Sequence, residues 1–172
     1  SRPVSNNAPA IFPLGATIVT FTASDLSGNS GQAQATVTIA DQTPPVISLI
    51  GASSITLNIG DVFTDPGTSV SDNVSSGLTA TVTGSVNTSA VGSYTLNYNV
   101  SDAAGNAAVE VSRTVNVVDN VAPNVIAPAS ITVAATDASG TASTDTSITA
   151  FLNAATANDA VDGSRPVSNN AP

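Results

Sequence analysis

Residues 91–119 read VGSYTLNYNVSDAAGNAAVEVSRTVNVVD, and this stretch decides the fold. On both sides of the segment SDAAGN (101–106), apolar and polar residues alternate, as they do in a strand that buries one face. Gly105 and Asn106 suit a tight turn, because both residue types tolerate a positive φ. The stretch therefore predicts a β-hairpin whose turn begins at Asp102.

The same pattern occurs a second time, nearer the start of the sequence. Residues 15–29 read GATIVTFTASDLSGN, against GSYTLNYNVSDAAGN at 92–106. The strands that follow end in TVTIAD at 36–41 and in TVNVVD at 114–119, and a step that contains proline comes after each. Two kinds of module with similar C-terminal hairpins are therefore predicted to alternate along the chain.

Short strands are predicted through the rest of the sequence, near residues 46–49, 55–59, 62–71, 78–86 and 131–136. The triplet Asp65-Pro66-Gly67 indicates a bulge or an edge, because proline has no N–H to donate to a sheet. Residues 146–152 fit another strand with its loop, and the alternative is a helix over 148–157 whose start is capped at Asp145. Short strands about every ten residues, with turn residues between them, are typical of an all-β sandwich.

A longer repeat joins the two ends of the sequence. The nine residues SRPVSNNAP occur at 1–9 and again at 164–172, which sets a period of 163 residues. Repeats at a fixed period indicate a modular rod. We therefore predict three segments: 1–41 is the C-terminal part of a split module, 42–119 is a complete module, and 120–172 is the N-terminal part of the next split module.

The composition argues against several classes of function. With a net charge of −9, three Arg and no Lys, we expect no nucleic-acid partner and no anionic membrane partner. No apolar run approaches the roughly 18 residues that span a bilayer, so direct membrane insertion is not expected. Without His, Cys or Lys, few groups remain for acid–base or nucleophilic chemistry, and we expect no enzyme.

Ordered sets of motifs in both modules resemble known extracellular repeats. The split module resembles a hyalin-repeat (HYR) module in ANDAVDGSRPV (157–167), FPLGATIVTFTASDLSGN (12–29) and TVTIAD (36–41). The complete module resembles bacterial immunoglobulin-like repeats in TPPVISLIG (43–51), FTDPGTSVSDN (63–73), VGSYTLNYNVSDAAGN (91–106) and SRTVNVVD (112–119). It departs from them at Val74-Ser75-Ser76-Gly77, where relatives often carry a further acidic residue.

The resemblance implies tandem, seven-stranded, Greek-key immunoglobulin-like sandwiches arranged end to end. It also implies a secreted or cell-surface location and a place in the stalk of a large bacterial adhesin. The expected partners are then the neighbouring modules of the same array. Modules of these families often bind Ca²⁺ at their junctions, and the resemblance does not imply an enzyme.

Topology predicts where such a cation would lie. In an immunoglobulin-like sandwich, the B–C and F–G loops lie at the end where the chain enters the module. Asp72 and Asn73 fall in the first of these loops, Asp102 and Asn106 fall in the second, and Asp41 ends the preceding module. Three carboxylates from three segments are thus expected at one junction, and oxygen ligands in that number favour Ca²⁺.

The second junction repeats this arrangement. Asp119 comes from the linker, Asp159 and Asp162 come from the B–C region of the next module, and the equivalent of Asp25 would come from the F–G loop of the following repeat. The alternative is that all of these are ordinary turn residues, because Asp and Asn are common in turns and surface Asp is usually solvated.

Two functions compete on the sequence alone. In the first, the modules are spacers, stiffened by Ca²⁺, that hold a distal binding domain away from the cell. Near-identical tandem copies favour it, because reach grows with copy number. In the second, the modules bind carbohydrate or protein themselves, which exposed aromatic side chains clustered on one face would favour.

Two structural predictions complete the interpretation. Arg113 is in phase with inward-facing valines, so we expect it to be at least half buried and paired with a carboxylate, with Asp65 the leading candidate. The halves 1–41 and 122–172 each lack the other's strands, so we expect one of two arrangements. Either chains associate head to tail through the split module, or the chain is one window onto a longer, continuous array; in both cases residue 172 of one copy would lie where residue 9 of another is, next to its residue 10.

Overall fold

A computed structural model of the chain describes residues 3–171, and its structure there is nearly all β. The elements of that part of the chain, in order, are β1 (Ser5–Asn6), β2 (Gly15–Ser24), β3 (Ser30–Ile39), β4 (Val46–Leu49), β5 (Ser54–Asn58), β6 (Thr68–Ser71), β7 (Thr81–Thr83), β8 (Gly92–Asn99), β9 (Val111–Val118), β10 (Asn124–Ile126), α1 (Thr146–Leu152), β11 (Thr156–Asp159) and β12 (Gly163–Arg165).

The chain forms two compact units. One takes in the chain up to residue 56 together with residues 62–87 and 93–116, and the other takes in 57–61, 88–92 and the chain from residue 117 on. The predicted division at residues 41 and 119 and the tandem arrangement of modules stay predictions. The predicted position of residue 172 stays a prediction as well, because Pro172 lies outside the described residues.

Strands β4 to β9 build the module that the sequence predicts to be complete. Strand β4 pairs with β6, and the remaining strands form a second sheet in the order β5-β9-β8-β7. Ile47 on β4 packs with Leu96 and Tyr98 on β8, and all three side chains are buried. Because each strand alternates apolar with polar residues, burying one face of each sheet joins the two into a sandwich with a small core.

The described structure has six strands in this module, against the predicted seven. Residues 62–67 form no strand, although the sequence predicts one over 62–71, and β6 begins only at Thr68. The triplet Asp65-Pro66-Gly67 explains the delay, because Pro66 cannot donate to a ladder and Gly67 has a φ of 78°. The Greek-key connection stays a prediction.

Strands β2 and β3 form the predicted N-terminal hairpin. They pair without interruption from Gly15 opposite Ile39 to Ser24 opposite Ser30. The two-residue strand β1 extends this sheet along the other edge of β2, with Ser5 opposite Thr22.

The C-terminal segment holds the three-stranded sheet β10-β11-β12 and the one helix of the described chain. The strand predicted near 131–136 is wrong. Local turn bonds take up part of its backbone: Thr136 N donates to Gly140 O at 3.0 Å, and Thr141 Oγ1 donates to Ala134 O at 2.8 Å. Of the two alternatives here, the helix is correct in kind, but it is shorter than predicted: α1 ends at Leu152, and β11 begins at Thr156. Asp145 caps α1 by accepting hydrogen bonds from the backbone N–H groups of the first turn.

The prediction for Arg113 is confirmed. Its side chain is fully buried, and Nε lies 3.3 Å from Asp65 Oδ1. Its other nitrogens donate to the carbonyls of Ala52 at 2.7 Å, Ile50 at 2.9 Å and Gly67 at 3.0 Å. The charge is thus paired and hydrogen-bonded, as a buried arginine requires.

Tyr98 completes this buried network. Its hydroxyl donates to Asp65 Oδ1 at 2.8 Å and accepts from Arg113 Nε at 3.3 Å. Burial raises the pKa of Tyr98, so the phenol stays protonated and remains a donor. The network ties β8 and β9 to the irregular segment that contains Asp65.

Candidate metal centre

Three carboxylates converge in the first compact unit, which holds most of the complete module. Asp41 follows the end of β3, Asp72 follows β6 directly, and Asp102 begins the turn between β8 and β9. One carboxylate oxygen from each lies within 4.8 Å of the others. The predicted convergence of these three side chains is therefore confirmed.

Backbone N–H groups of the residues that follow them orient the carboxylates of Asp41 and Asp72. Asp41 Oδ1 accepts from the N–H of Thr43 at 3.0 Å. Asp72 Oδ2 accepts from the N–H groups of Val74 at 2.8 Å and Ser75 at 2.7 Å. Sequence reasoning missed these three donors, although Asp or Asn that accepts from the N–H two residues later is a common turn signal.

In both Asp41 and Asp72, the second carboxylate oxygen is buried and unsatisfied. Asp41 Oδ2 and Asp72 Oδ1 have no hydrogen-bond partner, whereas their sister oxygens are fixed by the loops. A buried anionic oxygen without a donor is costly, because it has lost its water and gained nothing in exchange. At each of these two oxygens a positively charged ligand would be favoured.

Asp102 is held by Asn106 and is itself only 7% exposed. The backbone N–H of Asn106 donates to Asp102 Oδ1 at 2.8 Å, and its side-chain nitrogen donates to Oδ2 at 2.7 Å. Burial raises the pKa of Asp102, but the hydrogen bonds from Asn106 and from the backbone of Gly105 and Ala104 together lower it more, so the net pKa lies below the ordinary value of 3.8. Asp102 is therefore anionic at neutral pH.

Asn106 also reaches Asp41, donating its side-chain nitrogen to the carbonyl oxygen at 3.3 Å. It therefore connects the turn of the module to the segment that precedes it. Asn73 is exposed beside Asp72. That Asn73 and Asn106 supply ligand oxygens stays a prediction.

The donor set fits a hard divalent cation. Two oxygens on one Ca²⁺ can be at most about 5 Å apart, because each lies about 2.3–2.6 Å from the ion. The separations here, up to 4.8 Å, are within that limit. Carboxylates this close repel one another, and a shared cation would remove the repulsion.

The second predicted set lies in the other compact unit and is arranged differently. Asp159 is buried, and the N–H groups of Asp162 and Val161 donate to its Oδ1 and hold its pKa below the ordinary value. Asp162 is exposed and pairs with Arg165 at 3.7 Å. Among residues 3–171, these carboxylates do not gather as tightly as Asp41, Asp72 and Asp102 do.

Asp25 lies on an exposed turn. Its Oδ1 accepts from Ser27 N at 2.9 Å and Asn29 N at 2.8 Å, and its Oδ2 accepts from Asn29 Nδ2 at 2.8 Å. The Asn29 side chain, foremost among these donors, lowers the pKa of Asp25. The predicted role of Asp25, Asp119, Asp159 and Asp162 at a second cation site stays a prediction.

Comparison with known families supports the interpretation of the complete module. Residues 47–117 match the family described as the immunoglobulin-like domain of bacterial surface proteins. This stretch is similar to that family, and the match covers less than half of the chain. No protein of curated function matches the sequence.

Among solved structures, the chain is similar to a lipoprotein from Bacteroides thetaiotaomicron. The two are 30% identical over 45% of this chain, with a TM-score of 0.39. The match spans 39% of the length of the lipoprotein. No helix in the described part of the present chain is both long and apolar enough to cross a bilayer.

Proposed function

We propose that this chain is a spacer segment of an extracellular bacterial adhesin, in which Ca²⁺ bound by Asp41, Asp72 and Asp102 stiffens a module junction. The observation that carries the proposal is the pair of buried, unsatisfied oxygens, Asp41 Oδ2 and Asp72 Oδ1, beside Asp102. The match to bacterial surface immunoglobulin-like domains supports the location at the cell surface.

The cation would act as a cross-link. Asp41 belongs to the segment that leaves the N-terminal hairpin, whereas Asp72 and Asp102 belong to loops of the complete module. Binding all three to one ion would fix that segment against the module, in addition to the hydrogen bond from Asn106 to Asp41. In a tandem array, such fixed junctions would keep successive modules in line and hold a distal domain away from the cell.

Direct adhesion by the modules is less well supported. Binding sites for carbohydrate usually present aromatic platforms. Of the six aromatic residues, only Phe21 is exposed. Tyr98 is buried in the core, and the other four are partly buried.

Thermal unfolding in Ca²⁺ and in EGTA tests the proposal. At a Ca²⁺ concentration about 100 times its Kd, binding to the folded state contributes about 2.7 kcal/mol, which raises the Tm by several degrees. We expect Asp72→Asn to abolish this rise. The matched variant Asp25→Asn, in the similar but exposed turn, should retain it. An equal Tm in Ca²⁺ and EGTA for the unmodified chain would contradict the proposal.

A further inference from the structure

Asn106 lies where the turn of the complete module meets the segment that precedes the module, and it uses both of its donor groups there. Its backbone N–H donates to Asp102 Oδ1 at 2.8 Å, and its side-chain nitrogen donates to Asp102 Oδ2 at 2.7 Å. The same nitrogen donates to the backbone carbonyl of Asp41 at 3.3 Å. An asparagine side-chain nitrogen carries two hydrogens, so these two bonds use both of them.

The two acceptors fix the direction in which the amide group of Asn106 faces. An ionised carboxylate oxygen and a backbone carbonyl oxygen accept hydrogen bonds and donate none. If the amide were turned round, Asn106 Oδ1 would take the place of a nitrogen that lies 2.7 Å from an anionic oxygen, with no hydrogen between the two atoms. The nitrogen therefore faces Asp102 Oδ2 and the carbonyl of Asp41, and the amide oxygen is directed away from both.

The amide oxygen also lacks the feature that distinguishes the carboxylate oxygens at this junction. Among the described residues, the buried side-chain oxygens without a hydrogen-bond partner are Asp41 Oδ2 and Asp72 Oδ1, and Asn106 Oδ1 is not one of them. A cation would relieve the cost of burying the two carboxylate oxygens. It would give no such gain at the amide oxygen of Asn106.

We propose that Asn106 is a positioning residue of the cation site and not a ligand. Its nitrogen orients the carboxylate of Asp102 and the main chain at Asp41, while its oxygen stays off the ion. The proposal rests on the calcium site proposed above, and it replaces the ligand role that the sequence predicts for Asn106. An ionised carboxylate has about four acceptor positions, so Asp102 can accept these hydrogen bonds and still bind an ion.

This role has a consequence for affinity. Without the Asn106 side chain, the carboxylate of Asp102 and the segment at Asp41 each lose a bond that holds them in place, and the ion would have to order both on binding. Residues that orient metal ligands typically contribute about tenfold to a hundredfold to metal affinity. We therefore expect Asn106→Ala to weaken Ca²⁺ binding by about tenfold or more, with the same protein oxygens on the ion.

Calorimetric titration with Ca²⁺ tests the loss of affinity. Asn29→Ala is the matched control, because Asn29 holds the exposed Asp25 with the same two bonds that Asn106 makes to Asp102. The Kd should rise about tenfold or more for Asn106→Ala and stay unchanged for Asn29→Ala. An unchanged Kd for Asn106→Ala would overturn this proposal and leave the calcium site standing. Absence of Ca²⁺ binding by the unmodified chain would overturn the calcium site and this proposal together.

The water bound to the ion distinguishes a positioning residue from a ligand. Eu³⁺ binds oxygen ligands as Ca²⁺ does, and its luminescence lifetimes in H₂O and D₂O give the number of water molecules bound to it. We expect the same number for the unmodified chain and for Asn106→Ala, although the variant binds more weakly. A further bound water in Asn106→Ala would show that an amide oxygen had been replaced, and that result would overturn the proposal.

A measurement on the unmodified chain covers the case in which Asn106→Ala does not fold. Carbon-13 NMR during a Ca²⁺ titration follows the side-chain Cγ atoms at the junction. The signals of Asp41, Asp72 and Asp102 should shift as the ion binds, and that of Asn106 should shift much less. A shift of the Asn106 signal as large as those of the three carboxylates would contradict the positioning role.

Discussion

The two hairpins β2–β3 and β8–β9 have nearly the same turn in very different surroundings. In each, the Asn backbone N–H donates to Asp Oδ1 at 2.8 Å, and the Asn side chain donates to Oδ2, at 2.8 Å for Asn29 and Asp25 and at 2.7 Å for Asn106 and Asp102. The glycine before each Asn has a positive φ, of 87° and 92°. The turn is therefore a local property of Asp-x-x-Gly-Asn.

What differs is what surrounds each hairpin. Tyr98 on β8 is 2% exposed, whereas Phe21, at the matching position of β2, is 38% exposed. Asp102 has Asp41 and Asp72 beside it, whereas Asp25 is exposed. Burial and the candidate cation site thus depend on segments that are distant in sequence. The turn alone provides only one preorganised carboxylate.

Substituting Arg113 should cause the largest loss of stability, because its side chain fixes the buried face of β9, which the β2–β3 hairpin has no counterpart for. Arg113→Leu removes the cationic partner of Asp65 and a donor to three backbone carbonyls, and we expect a loss of about 3–5 kcal/mol in the free energy of unfolding. The control Arg165→Leu, at a half-exposed arginine, should cost about 0.5 kcal/mol or less. Urea unfolding measures both, and similar losses would show that the network of Arg113 is not a main support of the module.

Removing the hydroxyl of Tyr98 and adding one at Phe21 should give the next largest difference in stability. Tyr98→Phe removes the donor to Asp65 and the acceptor from Arg113 in the core, which should cost about 2 kcal/mol. Phe21→Tyr adds a hydroxyl at the matching but exposed position and should change stability by about 0.5 kcal/mol or less. Thermal unfolding of both variants checks the difference. If Tyr98→Phe were neutral, the hydroxyl would not be supporting the buried pair.

Titration of the two turn carboxylates gives the smallest effect. Asp25 and Asp102 both have a pKa below 3.8 in the folded state. Such groups stabilise the fold above the unfolded-state pKa, and that contribution is lost as the pH falls through the folded-state pKa. Ca²⁺ competes with protons, so it should lower the apparent pKa of Asp102 further and leave that of Asp25 unchanged. Carbon-13 NMR of the carboxyl groups, with and without Ca²⁺, measures the two apparent pKa values. If Ca²⁺ changed both pKa values equally, the two turns would not differ in cation binding.

Local patterns made much of the fold predictable. The alternation in 91–119 predicted both strands and the turn, and the phase of Arg113 predicted its burial and its partner. Topology alone predicted that Asp41, Asp72 and Asp102 meet, because a sandwich fixes which loops share an end.

Other local structures could not be predicted, because the sequence does not show which of several possible hydrogen bonds the backbone will form. At 131–136 no strand formed, and local turn bonds took up the N–H of Thr136 and the carbonyl of Ala134 instead. At 146–152, the cap from Asp145 decided for a helix. In Asp41 and Asp72, the neighbouring N–H groups donate to one carboxylate oxygen and leave the other unsatisfied. Only the three-dimensional structure shows which oxygen accepts these bonds.

A crystal structure of the chain grown with Ca²⁺, with anomalous data to identify the ion, tests the central claim most directly. The account predicts one ion bound by Asp41 Oδ2, Asp72 Oδ1 and a carboxylate oxygen of Asp102, each about 2.3–2.6 Å away. It also predicts no ion at the turn of Asp25 within the same chain. Three carboxylates without an ion at a saturating Ca²⁺ concentration, or an ion held by Asp25 instead, would contradict it.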